Sequence, residues 1–170
     1  MLPWGLSCRE HLEDRWLRIH SLPGSRRYAN SVEDMNGLIL RQNTVASYVL
    51  GTGTPCSVFL TGFGEDVTER YSRLLAESGL HPVYAMSHYE DEDFMDFFVA
   101  DAVWREGGFD QIIAAAANDE LCPIVFVNFS VCSMYAPYDG GADLFFSSSE
   151  EMLVARNRFR SWLSKREDGM

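Results

Sequence analysis

Four groups of residues have the types and spacing to do chemistry. The first is Tyr135-Ala136-Pro137-Tyr138-Asp139-Gly140-Gly141-Ala142-Asp143, which gathers two carboxylates and two phenols around a tight turn. A pair of Asp can hold a divalent ion, or divide the roles of acid and base. The plainer alternative is a hairpin in which Asp139 shapes the turn and Asp143 caps an edge or accepts a backbone N–H. No third ligand follows at a telling spacing. The second group centres on Asp101, in Phe97-Phe98-Val99-Ala100-Asp101-Ala102-Val103-Trp104. On a strand, Asp101 shares a face with Phe97, Val99 and Val103. A carboxylate among apolar side chains is driven towards its protonated form unless paired, which suits a general acid or base. An ion pair with an N-terminal Arg, or a place at a sheet edge, is the structural alternative.

The third group is basic: Arg15, Arg18, His20, Arg26 and Arg27, within a stretch that runs Arg18-Ile19-His20-Ser21-Leu22-Pro23-Gly24-Ser25-Arg26-Arg27-Tyr28. Guanidinium forks bind carboxylate or phosphate in bidentate fashion, and a His can relay a proton. In an acidic chain the same cluster also serves as internal counter-charge. The fourth group is an acidic band: Glu65, Asp66, Glu69 and Glu77, then Glu90, Asp91, Glu92, Asp93 and Asp96. It reads either as a solvated face or as a negative surface that steers a basic partner. Gly51-Thr52-Gly53-Thr54 fails as a phosphate loop, because no Lys follows it and it precedes a strand rather than a helix.

The 170 residues carry a net charge of −11. Residues 1–41 sum to +1, residues 42–155 to −15 and residues 156–170 to +3. Such a chain is repelled by phosphate, so no nucleic-acid or membrane partner is expected. No apolar run approaches the roughly 18 residues of a membrane span. The N-terminus lacks the apolar centre of a secretory signal. The four cysteines, Cys8, Cys56, Cys122 and Cys132, form no C-x-x-C pair, and the four His form no ligand pair. A cytoplasmic protein with reduced, mostly buried thiols and no cofactor or metal is the expectation.

The elements that must position these groups follow from spacing. Ser7-Cys8-Arg9-Glu10 has capping-box spacing, and the helix after it is expected to run to about Ile19 with Leu12, Trp16 and Ile19 inward. A second helix runs from Asn30 or Ser31 to Gly51, and a third from Val67 to Glu77. Strands are expected at Ser57–Phe63, Val83–Ser87 and Phe94–Trp104, the last two joined by a charged turn. A helix follows at Asp110–Ala117, then a strand at Ile124–Phe129. Val131–Ala136 and Ala142–Ser147 flank Asp139-Gly140, a hairpin signal because both central residues tolerate positive φ. Ser148-Ser149-Glu150-Glu151 opens a last helix, with Met152, Ala155, Phe159, Trp162 and Leu163 inward. The class is α+β: two N-terminal helices, an antiparallel or mixed sheet of about five to six strands, and a C-terminal helix, in one domain over 1–170.

The basic segment Arg18-Ile19-His20-Ser21-Leu22-Pro23, with Arg26-Arg27-Tyr28 and Arg41-Gln42-Asn43, and the distal Tyr135-Ala136-Pro137-Tyr138-Asp139-Gly140-Gly141-Ala142-Asp143-Leu144-Phe145, together resemble an uncharacterised family of small bacterial proteins. Its members pair an N-terminal Arg-rich helical segment with a Tyr-Asp-Gly-Gly or Tyr-Asp-Asp-Arg-Gly hairpin ahead of the last helix. The resemblance implies no catalytic role. Small acidic bacterial α+β proteins are also similar, in size, charge and class, to immunity proteins of toxin competition systems. The expected function is therefore a cytosolic binding module, an immunity-type inhibitor that covers the active site of a basic partner such as a nuclease toxin. On that reading Glu65, Asp66, Glu69, Glu90, Asp91, Glu92, Asp93 and Asp96 bind the partner. The alternative is a small enzyme using Asp101 or the Asp139/Asp143 pair, with Tyr135, Tyr138, His20, Arg26 and Arg27 around it. A monomer or a homodimer fits either.

Overall fold

A computed structural model describes residues 1–64, 66–90 and 93–163. One helix forms where sequence signals agree most closely. In α2 (Val32–Leu50), the Ser31 side chain accepts the Asp34 N–H, Glu33 and Asp34 face the positive end, and Gly51 ends it at φ 81°. Its inner face carries Leu38, Val45, Ala46 and Val49, but also the buried amides Gln42 and Asn43.

Seven strands make one sheet: β1 (Trp16–His20), β2 (Pro55–Gly62), β3 (Val83–Glu90), β4 (Asp93–Val103), β5 (Ile124–Asn128), β6 (Ser133–Tyr138) and β7 (Gly141–Phe145). Their spatial order is β1-β7-β6-β5-β2-β4-β3, and every pairing is antiparallel. The remaining helices are α1 (Gly5–His11), α3 (Val67–Arg70), α4 (Ser72–Glu77), α5 (Asp110–Ala117) and α6 (Ser149–Arg158). The α+β class stands.

The sheet has one strand more than the sequence leads us to expect, and the extra strand lies where helical spacing predicts a helix. The first helix stops at His11, and Trp16–His20 is β1. Period 2 wins over period 3.6 here: Leu17 and Ile19 alternate into the main core, while Trp16, Arg18 and His20 point to the other face. Ser7 is not the cap either; it lies inside α1, and its hydroxyl accepts the Leu2 N–H at 3.1 Å. The expected helix Val67–Glu77 is broken at Tyr71 into α3 and α4.

The two faces of the sheet are covered unequally. On one, α2 and α5 pack over Val58, Leu60, Ala100, Ile124, Phe126 and Leu144. On the other, α1 packs over β7, β6 and β5, where Cys8 and Leu12 meet Val125, Met134, Ala136 and Phe145, and Phe59 of β2 packs at the margin of this cluster. Buried polar groups fasten α2 to the sheet. Tyr135 donates its hydroxyl to Gln42 Oε1 at 2.8 Å, and Gln42 Nε2 donates to Ser21 Oγ at 2.7 Å. Trp104 Nε1 donates to Ser47 Oγ at 3.0 Å. Satisfied in this way, such groups specify one seating of the helix rather than a family of similar ones.

The β6–β7 hairpin has the two-residue Asp139-Gly140 turn, but neither residue takes positive φ, so the turn forms without the left-handed backbone expected of it. Pro137 is tolerated because β6 pairs with β5 only as far as Tyr135, leaving no partner there for its missing N–H. Gly141 is required for space. A Cβ there would lie 1.9 Å from the Ile19 carbonyl oxygen across the β1–β7 ladder. Gly141→Ala is therefore expected to cost about 3 kcal/mol or more, since backbone must move. Gly37→Ala, at an open, exposed position in α2, should instead gain up to about 1 kcal/mol. Urea midpoints of the two variants check both.

Candidate functional site

The β1–β7 register sets Arg18 opposite Asp143. Arg18 Nε lies 2.8 Å from Asp143 Oδ1 and Nη2 lies 3.0 Å from Oδ2, a bidentate fork. Trp16 is on the same face two residues earlier, and its indole N–H reaches Asp143 Oδ1 at 2.9 Å. The guanidinium carbon of Arg18 is 5.3 Å from the Trp16 ring centre and 4.9 Å from that of Tyr138, so two aromatic faces enclose the cation. The guanidinium carbon of Arg9, in α1, also stands over Trp16, 5.6 Å from its ring centre. Burial pushes the Tyr138 phenol well above its ordinary value, against the pull of Arg18. Beside this cluster is a cavity of about 290 Å³, lined among others by Arg9, Arg18, Asp119, Tyr138 and Asp139.

One turn further, Asp139 Oδ2 forms an ion pair with Arg27, 2.6 Å from its Nε, and accepts from the Tyr28 hydroxyl at 3.0 Å. The N-terminal basic segment and the distal hairpin thus meet in space, although more than a hundred residues separate them. They meet as matched charges. With both Asp143 oxygens held by N–H donors, its carboxylate is an acceptor that fixes the strand pair before it is a base.

Other residues of the four groups are placed apart. Tyr135 lies on the opposite face from Tyr138, fully buried in the core, and burial raises its phenol far above the usual range. Arg26 turns away to Asp34, with two contacts of 2.7 Å that hold the Asp34 carboxyl down at about 2. Asp101 does share a face with Val99 and Val103, but it is exposed rather than enclosed by apolar groups. It faces Ser57 Oγ at 3.5 Å on an open groove of about 780 Å³. Four strand spacings, about 19 Å, separate β4 from β7. Asp101 and Asp143 therefore cannot act on one substrate atom.

The acidic band is only partly a free surface. Asp66 caps α3, accepting the Thr68 and Glu69 N–H groups. Glu77 pairs with Arg73, and Asp96 accepts from Ser87 Oγ at 2.5 Å. Glu69 is exposed. Glu90 and Asp93 face each other in the β3–β4 register, while Glu65, Asp91 and Glu92 lie outside the described residues. The residue that spacing missed is Trp16; the alternation of apolar and polar types from Trp16 to His20 was the signal that could have found it.

Three thiols are buried and Cys132 is exposed. Burial raises Cys8 and Cys56 to about 11, so neither is a nucleophile at neutral pH. Among the described residues, no three His, Cys, Asp or Glu side chains are grouped to hold a metal ion. Among them also, no helix is long and apolar enough to cross a membrane.

The model of a family described as a domain of unknown function matches residues 5–167, from α1 past α6. The chain belongs to the DUF3885 family. The match takes in both halves of the Arg18–Asp143 fork, so the clamp lies wholly inside the DUF3885 domain. No curated protein and no solved structure matches the chain.

Two outcomes follow from the clamp. Asp143→Ala strands a buried guanidinium and should cost about 3 kcal/mol, measured by urea denaturation. Asp143→Asn should cost less, because its amide oxygen still accepts from Trp16. His20 extends the clamp face, and its buried Nε2 has no hydrogen-bond partner among the described residues. Burial, then Arg18 and Arg41, lower its pKa. The unfolded chain therefore takes a proton on His20 first, near pH 6.5, and stability falls as pH drops below that value. Urea midpoints at pH 7.5 and 5.5 should differ less in His20→Gln than in the parent protein.

Proposed function

We propose that this DUF3885 chain is a protein-binding module of the immunity type, which neutralises a basic partner such as a nuclease toxin by covering its active site. The observation that carries the reading is the half-sheet β2–β4–β3. On the face where α1 packs further along the sheet, Thr61, Met95 and Phe97 are buried but the Asp101–Val103 end is exposed, and apolar side chains stand exposed on and around this half-sheet, among them Val103 at 40%, Met86 at 45% and Phe129 at 66%. Exposed apolar groups of this kind, interleaved with charge, are the usual composition of a docking surface.

Charge supports the same half. Three cations of the N-terminal segment, Arg18, Arg27 and Arg26, are held by Asp143, Asp139 and Asp34. Between Arg73 and Arg105 the sequence has seven carboxylates and no Lys or Arg. A negative surface next to apolar contacts favours a cationic partner, and charge complementarity raises association rates towards about 10⁸ M⁻¹s⁻¹ at low salt. The protein would act in the cytoplasm, with no cofactor and no nucleic acid in the complex.

The tagged full chain should retain a basic protein from a lysate of its own host at about 50 mM salt and release most of it at about 500 mM, where charges are screened within a few ångströms. The double substitution Glu69→Lys with Asp101→Lys should weaken retention about tenfold or more and flatten the salt dependence. Recovery of an acidic partner, or binding indifferent to salt, would remove the reading.

A further inference from the structure

The two ends of the sheet differ. At one end, β1 has five residues, and its outer edge is occupied: Leu163 bridges to Ile19, and Arg41 donates to the His20 carbonyl at 3.2 Å. At the other end, β3 has eight residues and, among the described residues, pairs with β4 alone. A terminal strand presents a row of unpaired N–H and C=O groups, a template for one more strand.

The side chains of β3 suit an incoming strand on both faces. Tyr84 and Tyr89 stand on the helix side, packed against Phe98 and Phe94 of β4, yet they are 59% and 74% exposed. Val83 and Met86 stand on the opposite side, 63% and 45% exposed. From Met86 to Glu90 the register with β4 is unbroken, whereas a shift interrupts it between Tyr84 and Met86. The regular run is therefore the end nearest the acids. β3 closes on Glu90, opposite Asp93, and the Gly62–Asp96 pairing brings the chain leading to Asp66 and Glu69 to that end of the sheet. Between Arg73 and Arg105 the sequence supplies no Lys or Arg to that end of the sheet.

We infer that the outer edge of β3 takes an extended, cationic segment of the partner protein as an eighth strand of the sheet. This names the docking mode within the binding reading above, and rests on it. Main-chain bonds supply the affinity, the exposed tyrosines, Val83 and Met86 supply side-chain contacts, and the acidic end selects lysine or arginine. A second copy of this chain is disfavoured as the occupant, since each copy carries a net charge of −11.

The experiment uses the full chain and three labelled nine-residue peptides. The first alternates lysine and valine, the second is the same peptide N-methylated at alternate backbone amides, and the third replaces lysine by glutamate. Fluorescence anisotropy should show the first binding, the second at least tenfold weaker, and the third not binding. Hydrogen exchange should show new protection confined to β3. Met86→Lys and Tyr89→Lys, both at exposed positions, should each weaken the first peptide severalfold while leaving the circular dichroism unchanged. Equal binding of the N-methylated peptide, or protection elsewhere than β3, overturns strand addition. So does a concentration-dependent dimer that protects β3, which would make a second copy the occupant. Salt-sensitive capture of a basic host protein without β3 protection overturns strand addition but leaves the binding reading standing. Failure of both sinks both.

Discussion

A guanidinium and a carboxylate taken out of water cost several kcal/mol each, and only close geometry and further donors offset that. Arg18 and Asp143 meet those terms with a two-point fork, an indole N–H and two aromatic rings. The pair does more than hold charge. It sets the β1–β7 register, and a slip of one residue would turn Leu17 and Ile19 out of the core and bring Trp16 and Arg18 into it. Gly141 completes the constraint, since only a residue without Cβ lets the Ile19 carbonyl come so close. The first strand is thus tied to the last hairpin by chemistry that permits one alignment.

Everything on that side of the sheet is closed. α2 is seated by Gln42, Asn43 and Ser47, whose side chains all have partners. Its C-terminal carbonyls are taken up as well: Asn128 Nδ2 donates to Leu50 O at 2.6 Å and Ser133 Oγ donates to Val49 O at 2.7 Å. α1 closes the other face. Among the described residues no helix like α1 lies over the Asp101–Val103 end of the β2–β4–β3 half, and β3, the exposed aromatics Tyr84 and Tyr89 and the carboxylate-rich stretch of sequence belong to that half. On the proposed reading, the charge-matched half supports a more open, negative half that meets the partner. Of the two carboxylates best placed for chemistry, Asp143 has both oxygens engaged, and Asp139 holds Arg27 and Tyr28 through Oδ2.

The sequence was most legible where local and global preferences agree. α2 showed its cap, its first-turn acids and its glycine stop; α5 showed its Ile and Ala face; β5 showed its unbroken apolar run, and all five of its residues are buried. It was least legible where two periods compete. Leu12, Trp16 and Ile19 satisfy a helical spacing, yet Trp16 to His20 alternates as a strand, and the presence of β7 as a partner decided between them. No local feature shows that partner, because it lies about 125 residues away in the chain.

By itself the sequence determined the α+β class, the hairpin at Asp139-Gly140, the negative middle segment and the absence of a local ligand pattern, because each of these is carried by neighbours in the chain. The tertiary structure alone decided which charges cancel. Arg18 and Asp143, and Arg27 and Asp139, become neighbours only through an antiparallel ladder that spans the whole molecule. It also decided that Tyr135 is core while Tyr138 is cavity wall, since they lie on opposite faces of the sheet, and that among the described residues β3 pairs on one side only while β1 is bridged on its outer edge. Coulomb attraction, burial and strand pairing act through space, so their outcome belongs to the fold rather than to the order of residues.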